Sequence, residues 1–185
     1  PGIISRKSIL LYSFIELIRP TYMRFFPKWT KYLINQIHKS DIVLDLGCGY
    51  DSPIQYCKYS YSIGVEMYKP YILESKKKRI HNKYITTDLR KLNLKPKSVD
   101  VILCSEVIEH LTKKEGIKLI KNMQSWARKK IIITVPNGVV KQDVFDGNPL
   151  QEHKSSWYVF DLKKLGFKVN GINGWKLLKG SFGRI

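Results

Sequence analysis

The stretch Val43-Leu44-Asp45-Leu46-Gly47-Cys48-Gly49 restricts the fold more than any other part of the chain. A short apolar run with the pattern of a buried strand enters a turn carrying two closely spaced glycines. Ser52 and Pro53 then stand at the N-cap and first position of a short helix. Strand, tight glycine turn and helix N-terminus, in that order, open a nucleotide-type binding unit. Glycine suits such a turn because backbone can approach a ligand where a Cβ would collide.

Downstream, apolar runs alternate with stretches of helical periodicity. Strands are expected over 42–46, 62–66, 84–87, 99–104, 130–135 and 167–172, and helices over 53–58, 70–79, 112–128 and 156–165. This alternation demands right-handed crossovers and a parallel sheet covered on both faces. Gly171, Gly174 and Trp175 mark a turn into a last strand. The expected fold is α/β and Rossmann-like, a doubly wound, mostly parallel seven-stranded sheet whose last strand is short or truncated. Residues 6–38 read as two helices split near Pro20. The first carries Ile9, Leu10, Phe14, Leu17 and Ile18, the second Trp29, Leu33, Ile34 and Ile37. Residues 1–39 thus form an N-terminal helical extension or lid, and 40–185 the binding domain.

In open α/β sheets ligands bind beyond the carboxyl ends of the strands. Asp45, Glu66 and Asp88 end three successive expected strands. Glu66 follows the glycine turn at about the 20-residue interval of a ribose-binding acid.

The sequence Leu44-Asp45-Leu46-Gly47-Cys48-Gly49 resembles motif I of the class I S-adenosylmethionine-dependent methyltransferases, of the type 11-like group. That motif runs acid-x-Gly-x-Gly-x-Gly, and Asp51 stands here at the third glycine. The resemblance implies S-adenosylmethionine as cofactor and S-adenosylhomocysteine as product. It places Asp45 near the amino-acid part of the donor and lays Gly47, Cys48 and Gly49 against it. It puts Glu66 on the ribose hydroxyls beside Met67, Asp88 on the adenine amine, and Leu89 on the base, with Ser105 and Glu106 closing the pocket. The chain has neither a Walker phosphate loop nor a full G-x-G-x-x-G, which favours this phosphate-free donor over NAD.

The run Ser105-Glu106-Val107-Ile108-Glu109-His110-Leu111 is similar to the strand-four motif of many small-molecule methyltransferases. If helical, it would align Glu106, Glu109 and His110 on one face. Two carboxylates and an imidazole there suit a divalent cation such as Mg²⁺ or Mn²⁺. Small-RNA 2′-O-methyltransferases and ubiquinone-pathway O-methyltransferases use a similar Glu-x-x-Glu-His for metal, and by that analogy His153 is a fourth ligand. The competing reading has Glu106 and His110 lining the cleft as catalytic residues, with His153 as general base for a hydroxyl acceptor. After the fifth strand, Pro136-Asn137 and the run from Asn148 to Trp157 resemble the family's substrate side.

With 33 Lys+Arg against 15 Asp+Glu, a formal charge of +18, this basic protein attracts polyanions. Nucleic acid is therefore one expected partner, and a membrane surface, met through the basic, aromatic N-terminal helices, another. The lysines are dispersed rather than striped, and the first-ranked acceptor is a small or carrier-linked molecule. An RNA methyltransferase and a catalytically silent donor-binding subunit are the alternatives. Cys48, Cys57 and Cys104 show no zinc spacing and read as reduced cytoplasmic cysteines. No apolar run reaches membrane-span length. A chain opening on Pro1 reads as trimmed or as a fragment.

Overall fold

A computed structural model describes residues 29–171. The expected first helix and the expected last strand lie outside the described residues. Helix α1, Trp29–Ile34, is shorter than the expected 27–38 segment. Five strands follow among the described residues: β1 (Ile42–Leu46), β2 (Tyr61–Glu66), β3 (Lys83–Thr86), β4 (Val99–Ser105) and β5 (Ala127–Thr134). Every pairing is parallel, in the order β3-β2-β1-β4-β5. The fold is the expected Rossmann-like one. Helices α2 (Lys69–Lys77), α3 (Lys113–Trp126) and α4 (Val159–Lys164) complete it.

Two expected elements differ. The helix over 53–58 is a single 3-10 turn, Pro53–Tyr56, because Cys57 turns extended while its N–H closes on the Ile54 carbonyl. Residues 167–171, expected to begin a strand, are irregular. Gly166 ends α4 at φ +88° and the Phe167 N–H caps back onto the Leu162 carbonyl, so it serves the helix end rather than a ladder.

Period-two alternation divides the core between the faces of the sheet. Leu44, Leu46, Ile102 and Cys104 face the layer of α3 and α4. Val43, Val101 and Leu103 face the layer of α1 and the 3-10 turn, with Leu33, Ile37 and Ile54. Helix α3 opens with a Thr112–Glu115 capping box and buries Gly116, Leu119, Ile120, Met123 and Trp126 at helical spacing. Gly116 is a close approach: a Cβ there would lie 2.6 Å from Cζ2 of Trp157. Trp157 is fully buried. Its Nε1–H donates to the Ile108 carbonyl and to Ser155 Oγ. Lys113 Nζ sits 3.9 Å from its ring centroid and is held by Ser156 O and Asp161.

At the amino end of the sheet, Asp41 and Asp100 are buried beside Lys129, and Arg128 reaches Asp100. Burial alone would raise both carboxyls. The His38 N–H and Lys129 outweigh it at Asp41, and the Ile42 N–H, Lys129 and Arg128 outweigh it at Asp100, so both lie below their ordinary value. A folded pKa below the unfolded one contributes stability above the ordinary carboxylate range, lost as pH falls through the folded value. Urea midpoints are therefore expected to drop below about pH 4. Asp41→Asn should flatten that drop, and an unchanged pH profile would contradict it.

Candidate functional site

The strand order reverses between β1 and β4, which makes the gap beyond their carboxyl ends the natural crevice of the sheet. The turn after β1 enters it with Gly47 at φ +64° and Gly49 at φ +57°. The Cys48 N–H anchors the turn to the Val65 carbonyl of β2. Gly47 is pressed from the β4 side: a Cβ would lie 2.5 Å from Val107 Cγ2, whereas one at Gly49 would meet nothing within 4 Å. Left-handed backbone costs a non-glycine residue about 1–2 kcal/mol. Gly49→Ala is expected to lose about that much stability and Gly47→Ala clearly more. Equal losses in chemical denaturation would show that Val107 yields freely.

Glu66 ends β2 against this turn. One carboxylate oxygen accepts from the Gly49 N–H at 3.1 Å, the other from the Met67 and Tyr68 N–H groups at 2.8 Å each. The cleft beside it is lined by Gly47, Glu66, Met67, Asp88, Leu89 and Glu106, and by His110 deeper along. Six of the expected donor contacts therefore meet in one place. Cys48 is buried under the turn, its thiol pushed up by burial and by the charges of Asp45 and Glu66. Ser105 Oγ shares a 2.7 Å hydrogen bond with Thr134 Oγ1 at the top of β4.

Asp45 does not line the cleft. Strand parity turns its side chain to the face of Val43, where it is buried under Ser52 Oγ at 2.5 Å and His81 Nε2 at 2.9 Å. The side chain therefore sits beneath the turn rather than in the cleft. Asp88 lines the cleft, but Arg90 wraps it. The guanidinium donates to both carboxylate oxygens, the Arg90 N–H adds a further bond, and Nη1 reaches Glu115. This holds the Asp88 carboxyl below its ordinary range. Sequence reading missed Arg90, although a basic residue two places after an acid at a strand end signals such a turn.

The segment after β4 is not one continuous helix. Glu106 adopts φ +55°, its N–H bonded to the Thr134 carbonyl, and only Ile108–His110 form a 3-10 turn. The left-handed residue turns the chain, so Glu106 and His110 both line the cleft while Glu106 stays outside the Glu109–His110–His153 grouping. The expected i, i+3, i+4 alignment is corrected accordingly. Glu109, His110 and His153 instead bring possible ligand atoms within 4.8 Å of one another. The Lys154 and Ser155 N–H groups bind the Glu109 carbonyl and hold the two segments together. The His110 and His153 rings lie 5.0 Å apart. His110 Nδ1 faces the Glu152 carbonyl at 3.1 Å and His153 Nδ1 the Val140 carbonyl at 2.7 Å. A carbonyl only accepts, so each Nδ1 carries a proton and each Nε2 is the nitrogen left for a ligand or substrate proton. Burial holds His110 below its ordinary pKa, hence neutral at neutral pH.

A strap after β5 covers the cleft from the far side. Tyr68 Oη donates to the Gly147 carbonyl and Tyr71 Oη to Asp146. Asn148, Leu150, Gln151 and Lys154 of this strap line the cleft. They belong to the run from Asn148 to Trp157 that the sequence put on the substrate side, although nothing local says which of its residues reach the cleft. Among the described residues no helix is long and apolar enough to cross a membrane.

Three solved structures share this fold. A SAM-dependent methyltransferase from Archaeoglobus fulgidus superposes with a TM-score of 0.59 at 22% identity, covering 84% of this chain and 71% of that one. The small RNA methyltransferase HEN1 gives 0.62 at 18%, covering 84% and 24%. Phosphoethanolamine N-methyltransferase 1 of Haemonchus contortus, bound to phosphoethanolamine and S-adenosylhomocysteine, gives 0.51 at 18%, covering 65% and 30%. The chain thus spans under a third of the last two, and at these identities the likeness is one of fold. No curated protein matches the chain in sequence. The family model of the methyltransferase domain matches residues 44–133. That match covers just under half of the chain, from β1 into β5, through the same elements that build the cleft, and together with the shared fold it is consistent with a class I S-adenosylmethionine-dependent methyltransferase.

Proposed function

We propose that the chain moves a methyl group from S-adenosylmethionine to an oxygen or nitrogen of a small or carrier-linked molecule. The observation that carries this reading is Glu66, whose carboxylate stands against a positive-φ glycine turn at the switch point of the sheet. In this reading the ribose hydroxyls donate to Glu66. The adenine lies by Met67 and Leu89 with its amine toward Asp88. The methionine end follows Gly47, Cys48 and Gly49 toward Ser105 and Glu106, and Asp45 acts from below. The cleft encloses about 120 Å³, whereas ligand pockets start at roughly 300 Å³.

In the transfer, the S–CH₃ bond breaks as the acceptor–CH₃ bond forms, and sulfur keeps the electron pair as a thioether. The sulfonium is electrophilic enough that alignment supplies most of the rate. A hydroxyl acceptor must also lose its proton, and Nε2 of His110 or His153 can take it. Glu106, turned into the cleft, orients the acceptor.

A second reading is 2′-O methylation of RNA, favoured by the grouping of Glu109, His110 and His153 and by the net charge of +18. One carboxylate and two imidazoles with Nε2 left for a ligand fit a divalent ion such as Mn²⁺, which when bound would polarise the acceptor hydroxyl. Glu106 stands outside that ligand set.

Methyl transfer from labelled S-adenosylmethionine to the small-molecule, protein and RNA pools of a matched lysate separates the readings. Label in small or carrier-linked molecules is the expected result. Label in RNA that EDTA removes and Mn²⁺ restores would favour the second. Donor binding with no transfer to any pool would identify a catalytically silent partner subunit.

A further inference from the structure

We propose that His81 is a positioning residue of the donor site: through Asp45 it holds the Gly47–Gly49 turn in its binding shape. This rests on the donor reading given above. His81 lies in the segment between α2 and β3, and its side chain is fully buried. Nε2 is 2.9 Å from Asp45 Oδ2, the same oxygen that Ser52 Oγ reaches at 2.5 Å. The contact joins the imidazole to a carboxylate oxygen directly, with no group between them. Asp45 is itself buried, and a buried polar group costs free energy unless it is hydrogen-bonded.

The two partners come from opposite directions. Ser52 caps the 3-10 turn at the far end of the glycine loop, so its bond to Asp45 ties the loop's exit to its entrance. His81 comes from the neighbouring β3 side and stops the carboxylate from following Ser52 outward. Between these fixed ends stand the two positive-φ glycines and the Cys48 N–H anchored on β2. The turn therefore has little freedom to collapse when the donor is absent.

His81 is itself held in place. Its N–H donates to Tyr84 Oη at 3.0 Å and its ring meets the Tyr84 ring edge-on at 5.3 Å. On its other side the sheet carries a glycine: a Cβ on Gly64 would lie 2.9 Å from the imidazole and 3.0 Å from Cys48 Sγ. A ring that only filled space here would not need a nitrogen aimed at Asp45, and phenylalanine would serve as well. That difference is what the experiment reads.

Calorimetric titration of the full chain with S-adenosylhomocysteine and with sinefungin would use the wild type, His81→Phe, His81→Gln, Asp45→Asn and the His81→Phe/Asp45→Asn double variant. Folded fraction is matched by thermal melts. The expected result is a loss of roughly tenfold or more in affinity for His81→Phe, the scale of one hydrogen bond to a charged group. His81→Gln, which keeps an N–H donor, should recover most of that loss. The double variant should bind no worse than Asp45→Asn alone, because both changes break one link. Wild-type affinity in His81→Phe, equal weakness in His81→Gln, or additive losses in the double variant would each overturn the proposal. Should His81→Phe fail to fold, His81→Asn takes its place in the cycle, since its shorter amide falls short of Asp45. A wild type that binds neither ligand would overturn the donor reading itself, and this inference with it.

Discussion

Glu66→Ala is expected to lower affinity for S-adenosylhomocysteine and sinefungin at least a hundredfold while the chain still folds. Two effects combine. The variant loses the carboxylate that would accept both ribose hydroxyls, and hydrogen bonds to a charged group contribute about 1.5–3 kcal/mol each. It also strips the Gly49 N–H of its acceptor, so the turn loses its brace from β2. The folding penalty is smaller, about 1–3 kcal/mol, because the freed Met67 and Tyr68 amides lie in half-exposed backbone that water can reach. Glu66→Gln sorts the two effects. It keeps an oxygen for Gly49 but loses the charge, and should fall between wild type and alanine. Calorimetric titration reads affinity and urea denaturation reads stability. Unchanged affinity in Glu66→Ala would reject the ribose role, whatever the stability did.

Trp157→Ala is expected to cost about 3–5 kcal/mol, the range for truncating a fully buried aromatic. The side chain fills the space that Gly116 leaves open on α3, so truncating it leaves a void beside that helix. The variant also removes the Nε1–H donated to the Ile108 carbonyl and the ring under Lys113. The effect should reach the site. Ile108 opens the 3-10 turn that carries Glu109 and His110, and Lys154 and Ser155, just before Trp157, hold the Glu109 carbonyl. Trp157→Phe should recover most of the packing and none of the hydrogen bond. Urea denaturation decides. A loss under about 1 kcal/mol would mean that the tryptophan is not the wedge the structure makes it.

Much of the architecture was legible beforehand. Strands β1, β2, β3 and β4 lie within a residue of the expected ranges, because an apolar run bounded by turn residues has few other uses. Strand β5 begins earlier than expected, at Ala127, since pairing with β4 extends it past Arg128 and Lys129, whose side chains point to solvent or to Asp41 and Asp100. The helix over 53–58 was overread: Ser52 and Pro53 start a turn, but nothing local reports how soon it ends. The strand over 167–172 was overread in its first residues because Gly166 places them in a helix cap.

The placement of cleft residues was legible where it follows from a residue's own strand end. Glu66, Asp88 and Leu89 meet in the cleft because each follows a strand whose carboxyl end must point there. Reasoning of that kind failed at Glu106. Helical spacing aligned it with Glu109 and His110, and one left-handed residue undid the alignment. At Asp45 the alternation along β1 puts the side chain under the turn, a placement its position at a strand end does not announce.

The sequence by itself determined which elements form and in what order, and which strand ends carry acids. Those are local matters, settled by a two-residue alternation, by glycine's freedom at positive φ, and by the one-handedness of crossovers. Only the tertiary structure decided the partnerships: His81 with Asp45, Arg90 with Glu115, and the strap with Tyr68 and Tyr71. Each joins segments far apart in the chain. Their meeting depends on sheet order and on where loops land, and a hydrogen bond a few ångströms long leaves no period in the sequence that could announce it.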